Sequence, residues 1–457
     1  MTTARPNTPL TTLRSWLDRL EETGRLARAK PDVPLEFTLA AIAKRLDGDK
    51  ATFFPSPGGH ALSVISGLVA ARPWIAEAMG VDEADMLERY RDAVLNPLPW
   101  SEVSAESAPV QQIVIDCDLD ITEELPIPVH NEHDAGAYIT AGLVIAANPK
   151  TGVQNVSINR IQISGPDRLG ILILPRDLHR FYDAAEEAGE ALSVAIAVGV
   201  DPLTLLASQS ILPIDRDELE VAGALHGRPL PVVKCKTNDV RVPAEAEIII
   251  EGRLLPEVRE EEGPFGEFPQ YYGPSGKRQV IEIDTITRRE DALFHTIVPA
   301  AMEHLLLGGI PREASLIAHL QRTFPSVKDV HLSRGGVCRY HLVVKIAKRW
   351  DGEPKNIMMG AFAGSADIKQ VTVVDEDVDI LDPDAVEWAV ATRFQATEDL
   401  MVVAGAQGSQ LDPSGTDGRV DKMGLDATKP LGGDPFTFTV VHVPGEDDDA
   451  LDDWIEG

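Results

Sequence analysis

Two glutamates, Glu262 and Glu267, lie on either side of a Gly-Pro-Phe-Gly turn in the stretch EEEGPFGEFPQYYG. Residues five apart face opposite sides of a strand and lie about 140° apart on a helix, and Pro264 argues against a helix interior. A turn at 263–266 would instead direct both carboxyl groups toward one point. Acids held close together raise the pKa of one of them. The stretch therefore predicts either a pair that handles protons near neutral pH or two solvated acids.

Three aromatic residues follow the second acid closely. They are Phe268, Tyr271 and Tyr272. A carboxyl group covered by aromatic rings loses solvent, and this loss raises its pKa. We expect the rings to form a lid over the two acids if the stretch is functional. In a merely solvated loop of an acidic protein, the rings would have no such role.

An arginine ends the strand-like run QNVSINR at residues 154–160. An arginine among apolar strands usually pairs with a carboxylate. Arg160 could bind a substrate carboxylate through two hydrogen bonds and also hold Glu262, although a purely structural ion pair is the alternative. Asn155 and Arg160 face opposite sides of an ideal strand. They can share a site only if the strand bulges or ends between them.

A second candidate cluster is HNEHD at residues 130–134, with His130, His133 and Asp134. The pattern is similar to a metal-ligand cluster. Prolines at 126 and 128 precede it, so no helix fixes the spacing that such ligands need. A metal-dependent hydrolase that uses this cluster with the two glutamates is left open as an alternative.

A small basic island lies near the end of the chain, in GRVDKMGLDATKP at residues 418–430. Arg419, Lys422 and Lys429 follow a loop rich in Ser, Gly and Asp, and such a segment can hold a phosphate or another anion. The sequence contains no P-loop, no dinucleotide fingerprint and no G-x-S-x-G nucleophile motif. Nucleotide binding through a standard motif is therefore not indicated.

The composition of the 457-residue chain is typical of a globular protein, with 44% hydrophobic and 25% charged residues. Its net charge of −31 disfavours nucleic acid and anionic lipid as partners. No apolar run approaches the ~20 residues of a membrane helix, and the first residues lack the apolar region of a signal peptide. Three widely separated cysteines, Cys117, Cys235 and Cys338, indicate a reducing cytoplasm.

Hydrophobic periodicity predicts the elements that must position these residues. A helical pattern over 9–47, which includes Leu10, has a stop at Gly24 and a second helix over 35–46. Two strands over 51–70 and a helix over 73–95 follow. Seven β-branched runs between 110 and 300 predict a barrel or sandwich, interrupted by helices near 177–188 and 201–208.

The last third of the chain alternates helices and strands, which predicts an α/β layer. We expect a first domain over 1–105, a second over 106–310 and a third over 311–457, which ends in the acidic tail GEDDDALDDWIEG. The predicted helices of the third domain are 312–323, 355–363 and 383–392, and its predicted strands are 328–333, 340–347 and 370–375.

The chain resembles the UbiD family in EGPFGE with the YYG that follows it, and in five further motifs that occur in the family's order. They are LRSWLDRLEETGRLARAK, NVSINR, ELEVAGAL, KTNDVRVPAEAEIIIEG and KMGLDAT. The family consists of decarboxylases that use prenylated flavin mononucleotide. The resemblance implies an α+β multidomain fold: an N-terminal α/β portion, a central split β-barrel that binds the flavin, and a C-terminal α/β oligomerisation domain.

The resemblance also implies roles for individual residues. It assigns Arg160 to the substrate carboxylate, pairs it with Glu262, and makes Glu267 the proton donor. It implies that Mn²⁺ or Mg²⁺, together with K⁺, holds the cofactor phosphate. The implied metal ligands are Asn155, Asp177 and Glu218, with Asp177 at the place of the family's usual histidine, and the implied flavin contacts are Ser157, Ile158, Arg160 and Lys422.

The implied reaction is the reversible, non-oxidative decarboxylation of an aromatic, heteroaromatic or α,β-unsaturated carboxylic acid. The flavin would supply an electron sink that side chains lack. Burial should raise the pKa of Glu267, and Arg160 should lower it. The resemblance further implies a flavin prenyltransferase as cofactor supplier and a homo-oligomer, a dimer or larger. A non-catalytic cofactor-binding or assembly subunit on the same scaffold is the alternative.

The sequence gives only indirect indications of the substrate pocket. We expect its wall to draw on residues 299–310 and 434–438. The pair Gly308–Gly309 would then leave room for a bulky ring.

Overall fold

The computed structural model describes residues 12–432, 434–445 and 454. Leu10 of the predicted first helix and most of the acidic tail lie outside these residues. The described chain combines three larger mixed or antiparallel β-sheets with helices, so the predicted α+β multidomain class is confirmed. None of its helices is long and apolar enough to cross a membrane.

The N-terminal portion places helices against a four-stranded sheet of order β1-β2-β3-β18. Helix α1 buries Leu13, Trp16, Leu17 and Leu20 at helical spacing, and Thr12 caps its first turn. The predicted stop near Gly24 and the two strands over 51–70 are confirmed. The elements are α1 Leu13–Glu22, β1 Leu26–Arg28, α2 Thr38–Arg45, β2 Ala51–Phe54, β3 Ser63–Ser66, α3 Arg72–Met79, α4 Met86–Leu95 and β4 Ser101–Glu102.

The single helix predicted over 73–95 is wrong. Two helices, α3 and α4, take its place. Gly80 has φ +72° and ends α3, and this left-handed conformation favours glycine. The strand Leu26–Arg28 was also not predicted, because three residues are too few to show a period of two.

The central portion is built on a nine-stranded sheet of order β6-β9-β10-β17-β14-β11-β7-β8, with β5 beside β17. Its long hairpin, β14 and β17, has register shifts after Glu251 and Leu254, and such bulges bend a sheet. The sheet curls into a half-barrel, as the resemblance implies. Its strands are β5 Ile113–Ile115, β6 Tyr138–Ile139, β7 Leu143–Ala147, β8 Gln154–Ile158, β9 Ile161–Ile163, β10 Arg168–Ile171, β11 Leu192–Val198, β14 Ile248–Glu262 and β17 Gly276–Arg288.

Each of the seven predicted runs contains at least one of these strands, and the helices near 177–188 and 201–208 are confirmed. Helix α8 was missed because its sequence is apolar almost all round and lacks a polar face. The remaining elements of this portion are α5 Ile121–Glu124, α6 Asp177–Glu187, α7 Pro202–Ala207, α8 Glu218–His226, β12 Pro231–Lys234, β13 Arg241–Pro243, β15 Phe265–Gly266, β16 Tyr272–Gly273 and β18 Leu293–His295.

The C-terminal portion is a five-stranded sheet of order β19-β20-β21-β23-β22. All of the predicted helices and strands are present, but α9 begins ten residues before the predicted 312, because Gly308, Gly309 and Pro311 mask its helical pattern. The elements are α9 Met302–Gln321, β19 Val327–Leu332, β20 His341–Ile346, α10 Glu353–Gly364, β21 Gln370–Asp375, α11 Pro383–Arg393, α12 Ala396–Asp399, β22 Leu400–Gln407 and β23 Arg419–Ala427.

The basic island does not form the expected anion-holding loop. Most of it is strand β23. Lys429 pairs with Asp377 at 2.6 Å, while Lys422 is buried under the sheet. Arg419 and Lys422 are three residues apart on β23 and so point to opposite faces, and Lys429 lies beyond the strand, so these cations do not converge.

Candidate active site

Arg160 joins the two glutamates that are separated by the turn. Its Nη2 donates to Glu262 Oε2 at 2.7 Å, and its Nη1 donates to Glu267 Oε1 at 2.6 Å. The side chain of Arg160 is 5% exposed, that of Glu262 is 0% exposed and that of Glu267 is 12% exposed. The structure therefore brings the three predicted residues into one buried array, the carboxylate–guanidinium array.

The local backbone explains how distant residues meet. Strand β8 ends at Ile158 and β9 begins at Ile161, so Arg160 lies in the break that the sequence required. Strand β14 ends at Glu262, and the hairpin β15–β16 carries Glu267 back over it. A Cβ atom on Gly273 would lie 2.6 Å from Arg160 Nη1, so glycine at this position leaves the space that the guanidinium occupies.

The predicted aromatic lid is partly wrong. Phe268 is buried, but Tyr271 and Tyr272 are 62% and 43% exposed and do not cover the acids. Phe265 takes their place, since it is buried and lies 5.7 Å from the Arg160 guanidinium. The side chain of Phe268 packs into the hydrophobic core of the C-terminal sheet, against Tyr340 among others.

The electrostatics of the array differ between its members. Burial raises the pKa of Glu267, while the positive charges of Arg160 and Arg339 lower it, and the net direction is upward. Burial lowers the pKa of Arg160, but its two carboxylates outweigh burial and the net direction is upward. Arg160 Nε is buried and has no partner within the described chain. The array thus contains a carboxyl group suited to carrying a proton beside a permanent cation.

The three predicted metal ligands lie near one another. Glu218 is the first residue of α8, and its Oε2 accepts a hydrogen bond from the Val156 amide at 2.7 Å, one residue from Asn155. Burial, with a smaller contribution from the carboxylates of Asp217 and Asp177, raises the pKa of Glu218 to about 8. The buried Asn155 Nδ2 has no partner among the described residues. The carboxylate and amide oxygens of these three side chains are hard donors, and such donors fit a divalent cation.

The remaining predicted cofactor residues lie in two places. Ser157 and Ile158 end strand β8 beside the array, and Ser157 Oγ donates to Asn159 Oδ1 at 2.9 Å. Lys422 lies on the C-terminal sheet instead, where its Nζ donates to the carbonyls of Ala366 and Ile368 at 3.0 and 2.8 Å. Burial lowers the pKa of this lysine. The two groups belong to the two sheets that flank the array.

The HNEHD cluster is not a metal site in this structure. His130 Nε2 bonds to Thr296 Oγ1 at 2.7 Å, and burial lowers the pKa of His130 to about 3. Asp134 instead accepts from the Gly266 amide at 2.8 Å and so supports the turn that separates the two glutamates. In the described part of the chain, no three His, Cys, Asp or Glu side chains form a group that could hold a metal ion. The hydrolase alternative therefore loses its ligands.

Sequence reasoning missed a group of cations beside Glu267. The Arg339 guanidinium lies 4.3 Å from the centre of the Phe268 ring, and Arg312 Nη2 lies 3.6 Å from Asp367 Oδ2. Burial lowers the pKa of both arginines, the positive charge of Arg176 lowers both further, and that of Arg339 also lowers the pKa of Arg312. We call Arg176, Arg312 and Arg339 the arginine cluster. An arginine inside the apolar helix α9 was the one signal that could have revealed it.

Gly308 and Gly309 lie against other residues of the protein, and the expected room for a bulky ring stays a prediction. A Cβ atom on Gly308 would lie 2.2 Å from Arg339 Nη2, and one on Gly309 would lie 3.1 Å from Cys338 Cβ. The glycines therefore make room for the protein's own Arg339 and Cys338, and no bulky ring is needed to explain them.

Family models match nearly the whole length of the chain. The N-terminal domain of 3-octaprenyl-4-hydroxybenzoate carboxy-lyase (UbiD) matches residues 17–94, its Rift-related domain matches 101–302 and its C-terminal domain matches 305–427. Anhydromevalonate phosphate decarboxylase of Methanothermobacter thermautotrophicus is 40% identical over 92% of this chain and 97% of its own length. The Methanosarcina mazei protein of the same name is 37% identical over 92% and 96%.

Three solved structures share the fold along all or nearly all of their lengths. The UbiD-class enzyme HmfF from Pelotomaculum thermopropionicum, in complex with FMN, has a TM-score of 0.95 and 50% identity over 97% of this chain and 100% of its own. An evolved dimeric form of that enzyme was solved with prFMN (TM-score 0.92, 47% identity, 98% and 100% coverage). The 3,4-dihydroxybenzoic acid decarboxylase of Enterobacter cloacae has a TM-score of 0.90 and 29% identity over 95% and 97%.

Proposed function

This chain belongs to the UbiD family of carboxy-lyases, and from that premise we propose that it uses prenylated FMN to decarboxylate an unsaturated acid. The acid is aromatic, heteroaromatic or α,β-unsaturated, and the reaction is reversible and non-oxidative. The observation that carries the proposal is the buried contact of Arg160 with both Glu262 and Glu267. An intact array of this kind argues against a non-catalytic subunit.

The cofactor site supports the same proposal. When bound, the flavin supplies the electron sink that a carbanion at an unsaturated carbon requires. Ser157, Ile158, Arg160 and Lys422 would contact it. Asn155, Asp177 and Glu218 would hold Mn²⁺ or Mg²⁺ at its phosphate, with K⁺ nearby. Their hard oxygen donors support this assignment.

Arg160 and Glu267 divide the work of the reaction between them. Arg160 binds and orients the carboxylate that will leave, and the buried rings of Phe265 and Phe268 exclude water. The bond between the carboxyl group and its carbon breaks, CO₂ departs, and Glu267 transfers its proton to that carbon. Glu267 is then a carboxylate and takes a proton from solvent, since its side chain is 12% exposed.

Glu267 is a better proton donor than Glu262 for two reasons. The side chain of Glu262 has no exposed surface, so protons from solvent do not reach it directly. Glu262 also accepts hydrogen bonds from both Arg160 and Tyr138, so its two oxygens are directed at these partners and not at a substrate. Glu262 therefore acts as the fixed anion that orients Arg160.

The arginine cluster supports a substrate with a second anionic group. Arg339 lies near Glu267 and interacts with Arg312, Asp367 is the neighbouring counter-charge of both arginines, and Arg176 adds a third cation. Cations that the protein does not neutralise favour an anion, and arginine suits carboxylate and phosphate in particular. We propose that the second group is a carboxylate or a phosphate. The archaeal relatives, anhydromevalonate phosphate decarboxylases, are named for a phosphate-bearing substrate.

A panel of unsaturated acids tests this function in the cofactor-loaded protein, with CO₂ release as the readout. We expect acids with a second carboxylate or phosphate to have a kcat/KM at least about tenfold higher than their monoanionic analogues. Arg339→Gln should reduce this preference about tenfold, mainly through KM. The matched control is Arg253→Gln, which removes an exposed arginine paired with Glu282. Equal losses for both classes of acid in Arg339→Gln would contradict the second-anion assignment.

Glu218→Gln tests the metal assignment. We expect its bound manganese and its affinity for flavin to fall by about tenfold or more, because a buried anionic oxygen ligand is replaced by a neutral one. Metal content and flavin absorbance after gel filtration measure both quantities. Glu220→Gln, two residues further along α8, is the control. Full retention of metal and flavin in Glu218→Gln would refute the assignment.

The proposal extends to assembly and compartment. The strand β22 lies at the edge of the C-terminal sheet and exposes Leu400, Val402 and Val403, which supports a dimer or larger homo-oligomer formed through this portion.

The three cysteines are free, which supports a reducing cytoplasm. A flavin prenyltransferase would supply the cofactor. We retain the division into residues 1–105, 106–310 and 311–457 as part of the proposal.

A further inference from the structure

The HNEHD segment contacts both strands of the hairpin β15–β16, which carries Glu267 between them. On β15, the amide of Gly266 donates to Asp134 Oδ1 at 2.8 Å. On β16, the hydroxyl of Tyr272 accepts from the His133 amide at 3.2 Å, and the centres of the two rings lie 5.3 Å apart. The hairpin is therefore fastened on both of its strands to the loop that precedes β6.

The carboxylate of Asp134 joins this loop to the hairpin through its two oxygens. Its Oδ2 accepts from the backbone amide of Asn131 at 2.9 Å and from the Asn131 Nδ2 at 3.1 Å, so its own loop fixes its direction. Its Oδ1 then faces the amide of Gly266. A Cβ atom on Gly266 would lie 2.5 Å from Asn131 Nδ2, so the loop and the hairpin are in close contact. Since Gly266 immediately precedes Glu267, the anchor lies one residue from the acid.

We propose that Asp134 is a positioning residue that fastens the hairpin to the central portion and so places the carboxyl group of Glu267 beside Arg160. This inference rests on the proposed function, because it assumes that Glu267 delivers the proton. On the other side of the acid, Phe268 packs into the core of the C-terminal sheet. Glu267 thus lies between two anchors, and Asp134 is the one on the side of the central sheet. A misplacement of about 1 Å in a reacting group can cost about 100-fold in rate.

Loss of this anchor would change the surroundings of Glu267 in a defined direction. The charged and titratable groups that face Glu267 are Arg160, Arg339 and Glu262, and burial is the largest cause that raises its pKa. Without Asp134, the hairpin would admit water beside Glu267, so the pKa of Glu267 would fall toward that of an ordinary carboxyl group. Because Glu267 must be protonated to donate, activity would be lost at a lower pH.

Kinetics of cofactor-loaded Asp134→Ala test the proposal. We expect kcat to fall about tenfold and KM to change less than about twofold, because Arg160 still binds the substrate carboxylate. The high-pH limb of the kcat profile should move to lower pH by about one unit. Glu132→Ala is the matched control, since it removes an exposed acid two residues earlier, and we expect neither change.

Asp134→Asn separates the hydrogen bonds from the charge. It keeps the shape of the side chain and one acceptor oxygen but removes the negative charge. We therefore expect its limb to move in the same direction as that of Asp134→Ala, but by a smaller amount. Equal shifts in the two variants would trace the effect to charge and would overturn the positioning role.

Two measurements on the loaded protein need no turnover. The peptide that contains Gly266 should take up deuterium faster in Asp134→Ala than in Glu132→Ala, because the Gly266 amide has lost its acceptor. In an infrared titration, the C=O stretch of protonated Glu267 should disappear at a lower pH in Asp134→Ala than in the unsubstituted protein. Loss of this band in Glu267→Gln assigns it.

The outcomes distinguish the role of Asp134 from the proposed function. A limb or a Glu267 band that stays in place in Asp134→Ala would overturn the positioning role, as would an equal shift in Glu132→Ala. If the unsubstituted protein decarboxylated no acid but the band still moved in Asp134→Ala, the proposed function would fail and the role of Asp134 toward Glu267 would stand.

Discussion

Glu267→Gln is expected to reduce CO₂ release by about a thousandfold or more, because glutamine cannot deliver a proton to the carbon that loses the carboxyl group. Glutamine has nearly the same shape and still accepts the hydrogen bond that Arg160 Nη1 donates to this position. The array should therefore stay assembled, and flavin binding should remain within about twofold of the unsubstituted protein. CO₂ release and flavin absorbance measure the two quantities on the same preparation.

The matched control for this change is Glu261→Gln, one residue before the buried Glu262 and itself exposed on strand β14. It removes an equal charge near the site, and we expect its activity to be unchanged. Retained decarboxylation in Glu267→Gln would refute the proton-donor role.

The pH dependence of the unsubstituted protein follows from the same group. Glu267 must be protonated to donate, so activity is lost as pH rises through its pKa. Burial raises that pKa above the ordinary range of a carboxyl group. Activity should therefore persist to higher pH than an exposed glutamate would allow, and this high-pH limb should vanish together with the activity in Glu267→Gln.

Arg160→Ala is expected to cost at least about a thousandfold in kcat/KM and to destabilise the protein as well. The change removes the group that binds the leaving carboxylate. It also leaves Glu262 buried without its counter-charge, a situation that costs about 3–5 kcal/mol in the free energy of unfolding. Substrate affinity, retention of the mature cofactor and thermal unfolding of the loaded protein measure these effects.

Two further variants separate binding from folding. Arg160→Lys keeps a positive charge, but a single ammonium group cannot bridge two carboxylates as the forked guanidinium does, so we expect activity to remain low. Arg160→Met combined with Glu262→Gln removes both buried charges and should regain stability without regaining activity. Normal decarboxylation by either protein would contradict the role of Arg160.

The sequence predicted the site best where a reactive side chain lies next to a turn or a strand end. The turn between Glu262 and Glu267 and the required break between Asn155 and Arg160 both follow from strand periodicity, and both are present. The Tyr271 and Tyr272 lid failed because the hairpin β15–β16 turns these rings outward. The local sequence pattern does not indicate which face of a short hairpin the rest of the protein covers.

The contacts that sequence reasoning missed depend on distant segments. Arg312 and Arg339 approach Glu267 only through the packing of α9 and the loop before β20, and neither is preceded by a recognisable motif. Tyr138 was not singled out because an apolar stretch with one tyrosine also describes an ordinary core strand. Its position beside Glu262 depends on the order of the central sheet.

The burial of Phe268 in the core of the C-terminal sheet has a mechanical consequence for its neighbour in the chain, Glu267. Arg160, by contrast, is fixed to the central sheet. The distance between the acid and the guanidinium is therefore set by how the central and C-terminal sheets pack against each other. A core substitution that shifts the C-terminal sheet would move Glu267 relative to Arg160 without altering either side chain.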